Sequence, residues 1–200
     1  MNEQDIIKLQ KQLMQEKYAS IHSPVTYIDG KRYRFVEQEI PVGDILVRLP
    51  QEFVDLPKAI AWVKYPSSSR PQCIKSSTDT SINFAFSHLP TKVQEQELPK
   101  LKDTALNGLK KLHPQNDYLD DGLGYWGPTK SMLYSWLEYT SPTLDSENYS
   151  FNAFMRKDER LLYYVFNCPK EGYERWRPIV FETILTIRDK PDNWITSADG

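Results

Sequence analysis

The segment GLGYWG, from Gly122 to Gly127, has the spacing G-x-G-x-x-G of loops that bind the pyrophosphate of a dinucleotide. In such a site the glycines follow a strand and open a helix, whose N-terminal N–H groups and dipole hold the phosphates. Here Gly127 is followed by Pro128, Thr129 and Lys130 and then by the β-rich run MLYSWLEY. Because no helix N-terminus follows, we predict no nucleotide cofactor at this segment. We interpret it as a β-turn region whose glycines supply positive φ angles.

Three carboxylates could supply the acid and the base of a hydrolase, because two carboxyl groups in different environments suffice for glycoside-type chemistry. They are Asp120, Asp121 and Glu138. Adjacent aspartates are more typical of turns, where their side chains bond to their own backbone. We therefore predict no catalytic residue from these positions and keep an enzyme with a dispersed site, such as a hydrolase, as the alternative hypothesis.

The spacing of histidine and cysteine residues gives no sign of a metal centre. His22, His88 and His113 lack the i, i+4 and H-x-H spacings that place imidazoles around one ion. Cys73 and Cys168 fit no C-x-x-C pattern, and each lies in or beside a predicted strand, where a thiol behaves as a small apolar residue. We predict no metal and two reduced, mostly buried thiols. A bridge between the two cysteines, or a spatial Cys–His pair, stays open.

Aromatic residues in two predicted loops are the candidate interaction residues. Tyr125 and Trp126 lie between glycines, and exposed Tyr and Trp often anchor protein interfaces. Tyr65 and Arg70 flank the polar turn YPSSSR, where the arginine adds a planar donor suited to interface contacts. The alternative for Trp126 is packing over the edge of the core, because large aromatic side chains are mostly buried. We predict one protein-binding surface that contains both loops.

Composition sets the broad class of the protein. The 200 residues include 40% hydrophobic and 12% aromatic residues, enough to fold one domain. The 25 lysines and arginines nearly balance the 27 aspartates and glutamates, so the net charge of −2 provides no field that would attract nucleic acid or anionic lipid. No run approaches the roughly 18 apolar residues of a membrane span, and the N-terminus lacks a signal-peptide pattern. We expect a cytoplasmic protein with no nucleic-acid or membrane partner.

The pattern of apolar residues predicts several amphipathic helices and a series of antiparallel strands. The helices are expected at Glu3–Ala19, from near Pro57, at Thr91–His113 and at Tyr173–Ile187. The start of the third helix stays open between a capping box of Thr91 with Gln94 and a start near Pro99. Hairpin turns are expected at Asp29-Gly30, at Thr78–Thr80 and within Arg156–Arg160. We interpret residues 1–24 as an appended helix, 25–189 as a single α+β domain and 190–200 as a tail.

The order of the elements is a hairpin, a strand ending in LP, a short helix, two strands, a long helix, several antiparallel strands and a closing helix with an early tryptophan. The segments that carry it are ILVRLPQEF (Ile45–Phe53), INFAF (Ile82–Phe86), YYVFNC (Tyr163–Cys168) and WRPIVFETILTI (Trp176–Ile187). In this layout the chain resembles, over roughly Ile40 to Arg188, the superfamily that groups the photosystem II protein PsbP, the yeast Ran-binding protein Mog and the bacterial DcrB-like proteins. The resemblance implies a mainly antiparallel β-sheet flanked by helices, which is an α/β/α sandwich. It also implies a function in binding, because the members of this superfamily mostly bind other proteins.

The lack of a catalytic constellation and this resemblance together favour a non-catalytic protein-binding module. Such a module could be an accessory, chaperone-like or immunity-type protein, although the fold alone does not determine the function. We expect its partner to be another protein and expect no cofactor. The alternative is an enzyme whose site is built from dispersed carboxylates or from a Cys/His pair.

Overall fold

The computed structural model describes residues 19–66 and 70–194. The predicted N-terminal helix, up to Tyr18, and the end of the predicted tail lie outside the described residues. The first described residues contact the domain, because the Ser20 hydroxyl and the Ile21 backbone N–H both donate to the Glu182 carboxylate, at 3.1 and 2.9 Å. The division of the chain at residues 24 and 189 stays a prediction.

The described residues form short and long strands and three α-helices. The strands are β1 (Thr26–Ile28), β2 (Lys31–Tyr33), β3 (Phe35–Ile40), β4 (Ile45–Pro50), β5 (Val54–Asp55), β6 (Cys73–Ser76), β7 (Asn83–Lys92), β8 (Asp117–Trp126), β9 (Met132–Pro142), β10 (Glu147–Lys157), β11 (Arg160–Pro169) and β12 (Arg188–Asp189). The helices are α1 (Lys58–Lys64), α2 (Leu98–Leu112) and α3 (Tyr173–Leu185). Short 3-10 turns at Glu95–Glu97 and Lys170–Gly172 lead into α2 and α3.

A seven-stranded antiparallel sheet forms the centre of the fold, with the strand order β5-β6-β7-β11-β10-β9-β8. A three-stranded sheet, β12-β4-β3, and the hairpin β1-β2 complete the β structure. One face of the large sheet packs against α3 and the three-stranded sheet, around the buried Trp176 ring. The opposite face carries α2 over Leu137 and Phe154, and α1 over Ile74 and Ala85. The fold is therefore α+β, with helices on both faces of a mainly antiparallel sheet, as predicted.

Side-chain alternation explains how the central strands contribute side chains to both faces of the sheet. In β10, Tyr149, Phe151, Ala153 and Met155 belong to the core on the α3 side, whereas Phe154 belongs to the cluster under α2. Successive side chains of a strand point to opposite faces, so a strand covered on both sides is apolar in both registers. In the run NYSFNAFM the face towards α3 is apolar throughout, whereas the face towards α1 and α2 carries Asn148, Ser150 and Asn152 before Phe154.

Turn chemistry fixes two of the hairpins. Asp29 and Gly30 have φ angles of 52° and 70°, and Asp158 and Glu159 have φ angles of 48° and 61°. Positive φ at both central residues is typical of the type I′ turn, whose twist matches that of the flanking strands. The hairpins predicted at Asp29-Gly30 and within Arg156–Arg160 are confirmed.

Of the two predicted starts of α2, the one near Pro99 agrees with the structure and the capping box of Thr91 with Gln94 does not. β7 continues to Lys92, so Thr91 lies in a strand. The Gln94 side chain accepts from the Glu97 backbone, and the Glu97 carboxylate accepts from the Gln94 backbone N–H at 2.7 Å, which forms a capping box that opens the 3-10 turn. Pro99 then lies in the first turn of α2, where its missing N–H is tolerated.

The glycine-rich segment is a strand up to Trp126, so the prediction of a turn region is wrong for Gly122 and Gly124 and holds only at Gly127. Gly122 and Gly124 belong to β8 and have no positive φ. Gly127, just after the strand, has a φ of 85°. Across the ladder, Gly122 pairs with Trp136 and Gly124 with Tyr134. A Cβ atom at Gly122 would lie 2.9 Å from the Trp136 ring, and one at Gly124 would overlap the Tyr134 ring. The glycines therefore make room for two cross-strand aromatic rings.

Candidate protein-binding surface

The carboxylates of the enzyme alternative lie where β8, β9 and α3 meet. The Arg177 Nε on α3 donates to both carboxylate oxygens of Glu138 on β9, at 2.9 and 3.0 Å, and its Nη2 donates to Asp120 on β8 at 3.1 Å. The Tyr149 hydroxyl donates to Glu138 at 2.6 Å. Burial, followed by this hydrogen bond, raises the pKa of Tyr149, and the hydrogen bonds to Glu138 raise the pKa of Arg177.

This ion-pair network connects α3 to the sheet. The Glu138 side chain is 3% exposed, whereas that of Asp120 is 58% exposed. The Arg177 guanidinium bridges Glu138 and Asp120. It therefore occupies the space between the two carboxylates, which a hydrolase needs for its substrate or its water. Asp121 forms a separate ion pair with Lys102 on α2. Both aspartates lie in β8 and not in the expected turn.

The two thiols are free and lie in different environments. Cys73 is half-buried and Cys168 is buried. Burial raises the pKa of the Cys73 thiol to about 11 and that of the Cys168 thiol well above its ordinary range. Both therefore stay protonated at neutral pH, whereas the thiolate is the form that attacks substrates and binds metals. Within residues 19–66 and 70–194, no three His, Cys, Asp or Glu side chains are grouped to hold a metal ion.

The four predicted interaction residues lie towards opposite edges of the seven-stranded sheet. Tyr125 and Trp126 end β8 at one edge, and Tyr65 and Arg70 follow α1, which covers β6 and β7 near the other edge. The order of the strands puts β6 five spacings from β8. At roughly 4.8 Å per spacing, this separation is about 24 Å. The two pairs do not form the single surface that the sequence suggested.

At the β8 edge, Tyr125 and Trp126 have opposite environments. The Tyr125 side chain is 59% exposed, whereas Trp126 is 2% exposed and belongs to the main core. The alternation of side chains along a strand explains the difference. Trp126 is therefore not accessible as a surface anchor, and the alternative in which it packs at the core edge agrees with the structure.

At α1, the exposed aromatic residue is Trp62 and not the predicted Tyr65. The Trp62 side chain is 61% exposed. The Arg70 guanidinium lies 3.5 Å from the centroid of its ring, a cation–π contact, and Arg70 Nε donates to the Tyr65 carbonyl at 3.1 Å. The Tyr65 hydroxyl points inward and donates to Asn167 at 3.0 Å, and burial raises its pKa to about 12. Trp62 and Arg70 thus hold each other in place at the surface.

A groove of about 410 Å³ lies beside this pair. Its apolar lining includes Leu56, Ala61, Pro71 and Ile74. Two further apolar side chains of α1 are exposed, those of Ile60 and Val63. We define the α1 surface as Ile60, Trp62, Val63 and Arg70 together with this groove.

Sequence reasoning missed Trp62 because a helix of seven residues is too short for its apolar stripe to be recognised. The segment KAIAWVK is apolar between its terminal lysines, yet only Ala61 is buried in it. A helix that is apolar on all sides must either be enclosed or expose apolar surface. The excess of apolar residues in this short segment is therefore the signal in the sequence that predicts exposed apolar surface at α1.

Two solved structures share the arrangement of strands and helices. The cyanobacterial PsbP (CyanoP) of Synechocystis sp. PCC 6803 aligns with a TM-score of 0.57 and 10% sequence identity, over 78% of this chain and 92% of its own. The Ran-binding protein Mog1p of Saccharomyces cerevisiae aligns with a TM-score of 0.54 and 13% identity, over 79% of this chain and 96% of its own. The chain has a PsbP/Mog-like fold.

The resemblance predicted from the layout of the sequence is thereby confirmed at the level of the fold. No family model and no curated protein matches the sequence. In this PsbP/Mog-like fold, the α1 surface and the β8 edge lie towards the two ends of the central sheet. Of the helices in the described part of the chain, none is both long and apolar enough to span a membrane.

Proposed function

We propose that the protein is a non-catalytic, cytoplasmic protein-binding module and that the α1 surface is its contact site. The observation that carries the proposal is the Trp62 ring, 61% exposed and stacked under the Arg70 guanidinium. Tryptophan and arginine are the residue types that most often dominate the energy of an interface. Because each side chain already restrains the other, little rotamer freedom remains to be lost on binding.

The chemistry of the α1 surface favours one kind of partner. The groove beside Trp62 is lined by apolar side chains and accepts an apolar side chain of the partner. Arg70 bonds to a described residue through Nε alone, which leaves its Nη donors for a carboxylate in a charge-assisted hydrogen bond. Lys58 adds positive charge at the groove. We expect the partner to be a polypeptide that presents an apolar side chain next to an acidic one.

Two further observations support the proposal. Mog1p, which has the same fold, is named a Ran-binding protein. Cys73 and Cys168 are free, which agrees with a reducing compartment such as the cytoplasm. Fractionation of cells that produce the tagged full-length chain tests the compartment directly.

The test of the contact site is affinity capture from the source cells, followed by measurement of the Kd between the purified partner and three forms of the protein. Trp62→Ala is expected to weaken the complex by about 2 kcal/mol, or about 30-fold in Kd. Its melting temperature should stay nearly unchanged, because the side chain is mostly exposed. Tyr125→Ala is the matched control, since Tyr125 is 59% exposed at the opposite edge of the sheet. It should bind as tightly as the unchanged protein.

Three results would count against the proposal. If Trp62→Ala binds as tightly as the unchanged protein, or if Tyr125→Ala loses more affinity than Trp62→Ala, the α1 surface is not the contact site. If the unchanged protein retains no polypeptide at all, protein binding itself is contradicted. Arg70→Lys adds a second measurement, because it keeps the charge and removes the planar stacking group.

A further inference from the structure

A row of polar side chains crosses the large sheet on the face that carries α1 and α2. The strand register places five of them side by side on β6, β7, β11, β10 and β9: Ser76, Asn83, Asn167, Ser150 and Tyr139. Directly opposed residues of antiparallel strands lie on the same face. We call this set the polar row.

The polar row differs from its surroundings. The neighbouring row on the same face is Ile74, Ala85, Val165, Asn152 and Leu137, which is apolar except for Asn152. Asparagine is disfavoured in strands, where threonine or valine fits better. Asn83 and Ser150 are only 3% and 5% exposed, so they are not ordinary solvent-facing positions. A row of buried amides and hydroxyls goes against both strand propensity and burial preference, which is typical of a functional site.

Hydrogen bonds hold these side chains in fixed orientations. The Ser76 hydroxyl donates to Asn83 Oδ1 at 2.8 Å. Asn167 Nδ2 donates to the Ser150 hydroxyl at 2.8 Å, while its Oδ1 accepts from the Tyr65 hydroxyl at 3.0 Å. Asn83 Nδ2 also donates to the Thr80 carbonyl at 3.3 Å. An amide has two donor N–H groups and an acceptor with two lone pairs, so each asparagine keeps one donor and one lone pair beyond these contacts. The remaining donors and acceptors are therefore oriented before any ligand arrives.

A groove of about 270 Å³ lies over the polar row. Asn148 and Ser141 face each other on β10 and β9 in its lining, and neither side chain bonds to another described residue. Lys64 is the charged side chain among the described lining residues, and its ammonium donates to the Thr80 carbonyl. Burial lowers the pKa of Lys64. The groove thus offers mainly uncharged donors and acceptors.

We propose that this groove binds a small, uncharged polyhydroxylated molecule such as a single sugar ring. An asparagine side chain presents donors and an acceptor in one plane, which matches adjacent hydroxyl groups that each donate and accept. The described lining includes no carboxylate that would attract a cation, and more of its surface is polar than apolar. Its volume lies just below the roughly 300 to 1,000 Å³ of pockets that hold drug-sized ligands, which suits one ring. This site is distinct from the α1 surface, so either proposal can fail without the other.

The primary test is an NMR titration of the ¹⁵N-labelled full chain with D-glucose and D-galactose. The side-chain amide resonances of Asn83, Asn148 and Asn167 report directly on the groove. At least one of the two sugars is expected to shift them along a saturable curve, with a Kd below about 10 mM. If neither sugar gives saturable shifts at these amides, the proposal is overturned.

Substitutions in the groove locate the binding. Asn148→Leu is expected to weaken sugar binding about tenfold, as the loss of one or two hydrogen bonds implies. Ser141→Ala, which removes only the hydroxyl, is a second variant that should act in the same direction. Asn107→Leu, on the exposed side of α2, is the matched control and should leave the Kd unchanged. Undiminished binding in both groove variants contradicts the proposed site.

Two more measurements distinguish sugar binding in this groove from anion binding and from binding at the α1 surface. D-gluconate tests for a preference for anions, and a tighter gluconate complex that depends on Lys64 but not on Asn148 would overturn the proposal. Tyr65→Phe removes the hydroxyl that orients Asn167. It should weaken sugar binding measured without the partner, whereas Trp62→Ala, outside the groove lining, should leave sugar binding unchanged, so the two proposals are tested independently.

Discussion

Arg177→Met is expected to lower the free energy of unfolding by about 3 to 5 kcal/mol, because it leaves a carboxylate buried without its cation. The Glu138 side chain is 3% exposed, and two of its three hydrogen bonds come from Arg177, at 2.9 and 3.0 Å. Only the bond from the Tyr149 hydroxyl remains in the variant. The pair with Asp120 contributes little, because that carboxylate is 58% exposed and screened by solvent. Methionine keeps an apolar stem of similar length, so the loss reports mainly the missing charge.

The reverse substitution should be much milder. Glu138→Gln is expected to cost about 1 kcal/mol, because glutamine still accepts from Tyr149 and no charge is left buried. The Arg177 side chain that loses its partner is 35% exposed and can be hydrated. The double variant, Arg177→Met with Glu138→Gln, also leaves no charge buried. It should therefore recover more than half of the free energy of unfolding that Arg177→Met loses.

Urea unfolding of the four forms, followed by tryptophan fluorescence and far-UV circular dichroism, gives a double-mutant cycle. We expect a coupling energy of about 2 kcal/mol or more and, for Arg177→Met, a fall in Tm of roughly 6 to 20 °C. The reasoning is refuted if Arg177→Met costs less than about 1 kcal/mol or if the double variant loses the sum of the single losses. The same proteins test the enzyme alternative. An activity that disappears in Glu138→Gln while stability is retained would assign this carboxylate to chemistry.

The remaining predictions concern two glycines and an aspartate. Gly124→Ala should destabilise the protein by about 1 to 3 kcal/mol in urea unfolding, because its Cβ would overlap a cross-strand ring. The matched change Gly108→Ala in α2, where no atom lies within 4 Å of the new Cβ, should stabilise it by about 0.5 to 1 kcal/mol, and equal effects of the two changes would contradict this account. Hydrogen bonds from two serine hydroxyls lower the pKa of Asp79, so its contribution to stability is present above the ordinary value of 3.8 and is lost as pH falls below it. Melts of Asp79→Asn between about pH 6 and about pH 2 should therefore show a shallower acid loss than the unchanged protein, and parallel curves would show that Asp79 is not responsible.

The sequence predicted those elements whose determinants lie within a few residues of one another. Asp29-Gly30 specifies a type I′ turn by its own φ preferences, and Pro57 opens α1 as the residue before its first turn. The alternation in NYSFNAFM likewise needs no knowledge of distant residues. For these elements the local signal and the tertiary structure agree.

The strand β8 could not be predicted in this way, because its glycines are explained by distant residues. Gly122 and Gly124 lie opposite Trp136 and Tyr134, and without that register glycine indicates a turn. The polar row is also invisible in the sequence, because its members come from five strands that are adjacent only in the folded sheet. The predicted interaction residue Arg70 does lie at the proposed contact site, but its aromatic partner is Trp62, which the short helix concealed.

Tyr65 connects the two proposed sites. Its carbonyl accepts from Arg70, which stacks on Trp62, and its hydroxyl donates to Asn167 in the polar row. A partner that tilts α1 would therefore displace the hydroxyl from Asn167, and a ligand that holds Asn167 would favour one position of α1. Such coupling must be reciprocal, because it is a free energy shared between the two binding equilibria. The Kd of the sugar is accordingly expected to change when the partner is bound. In Tyr65→Phe the carbonyl contact remains and the hydroxyl contact is lost. The ratio of the sugar Kd with the partner bound to the sugar Kd without it should therefore approach one. A ratio that keeps its full value in Tyr65→Phe would show that the coupling does not pass through this residue.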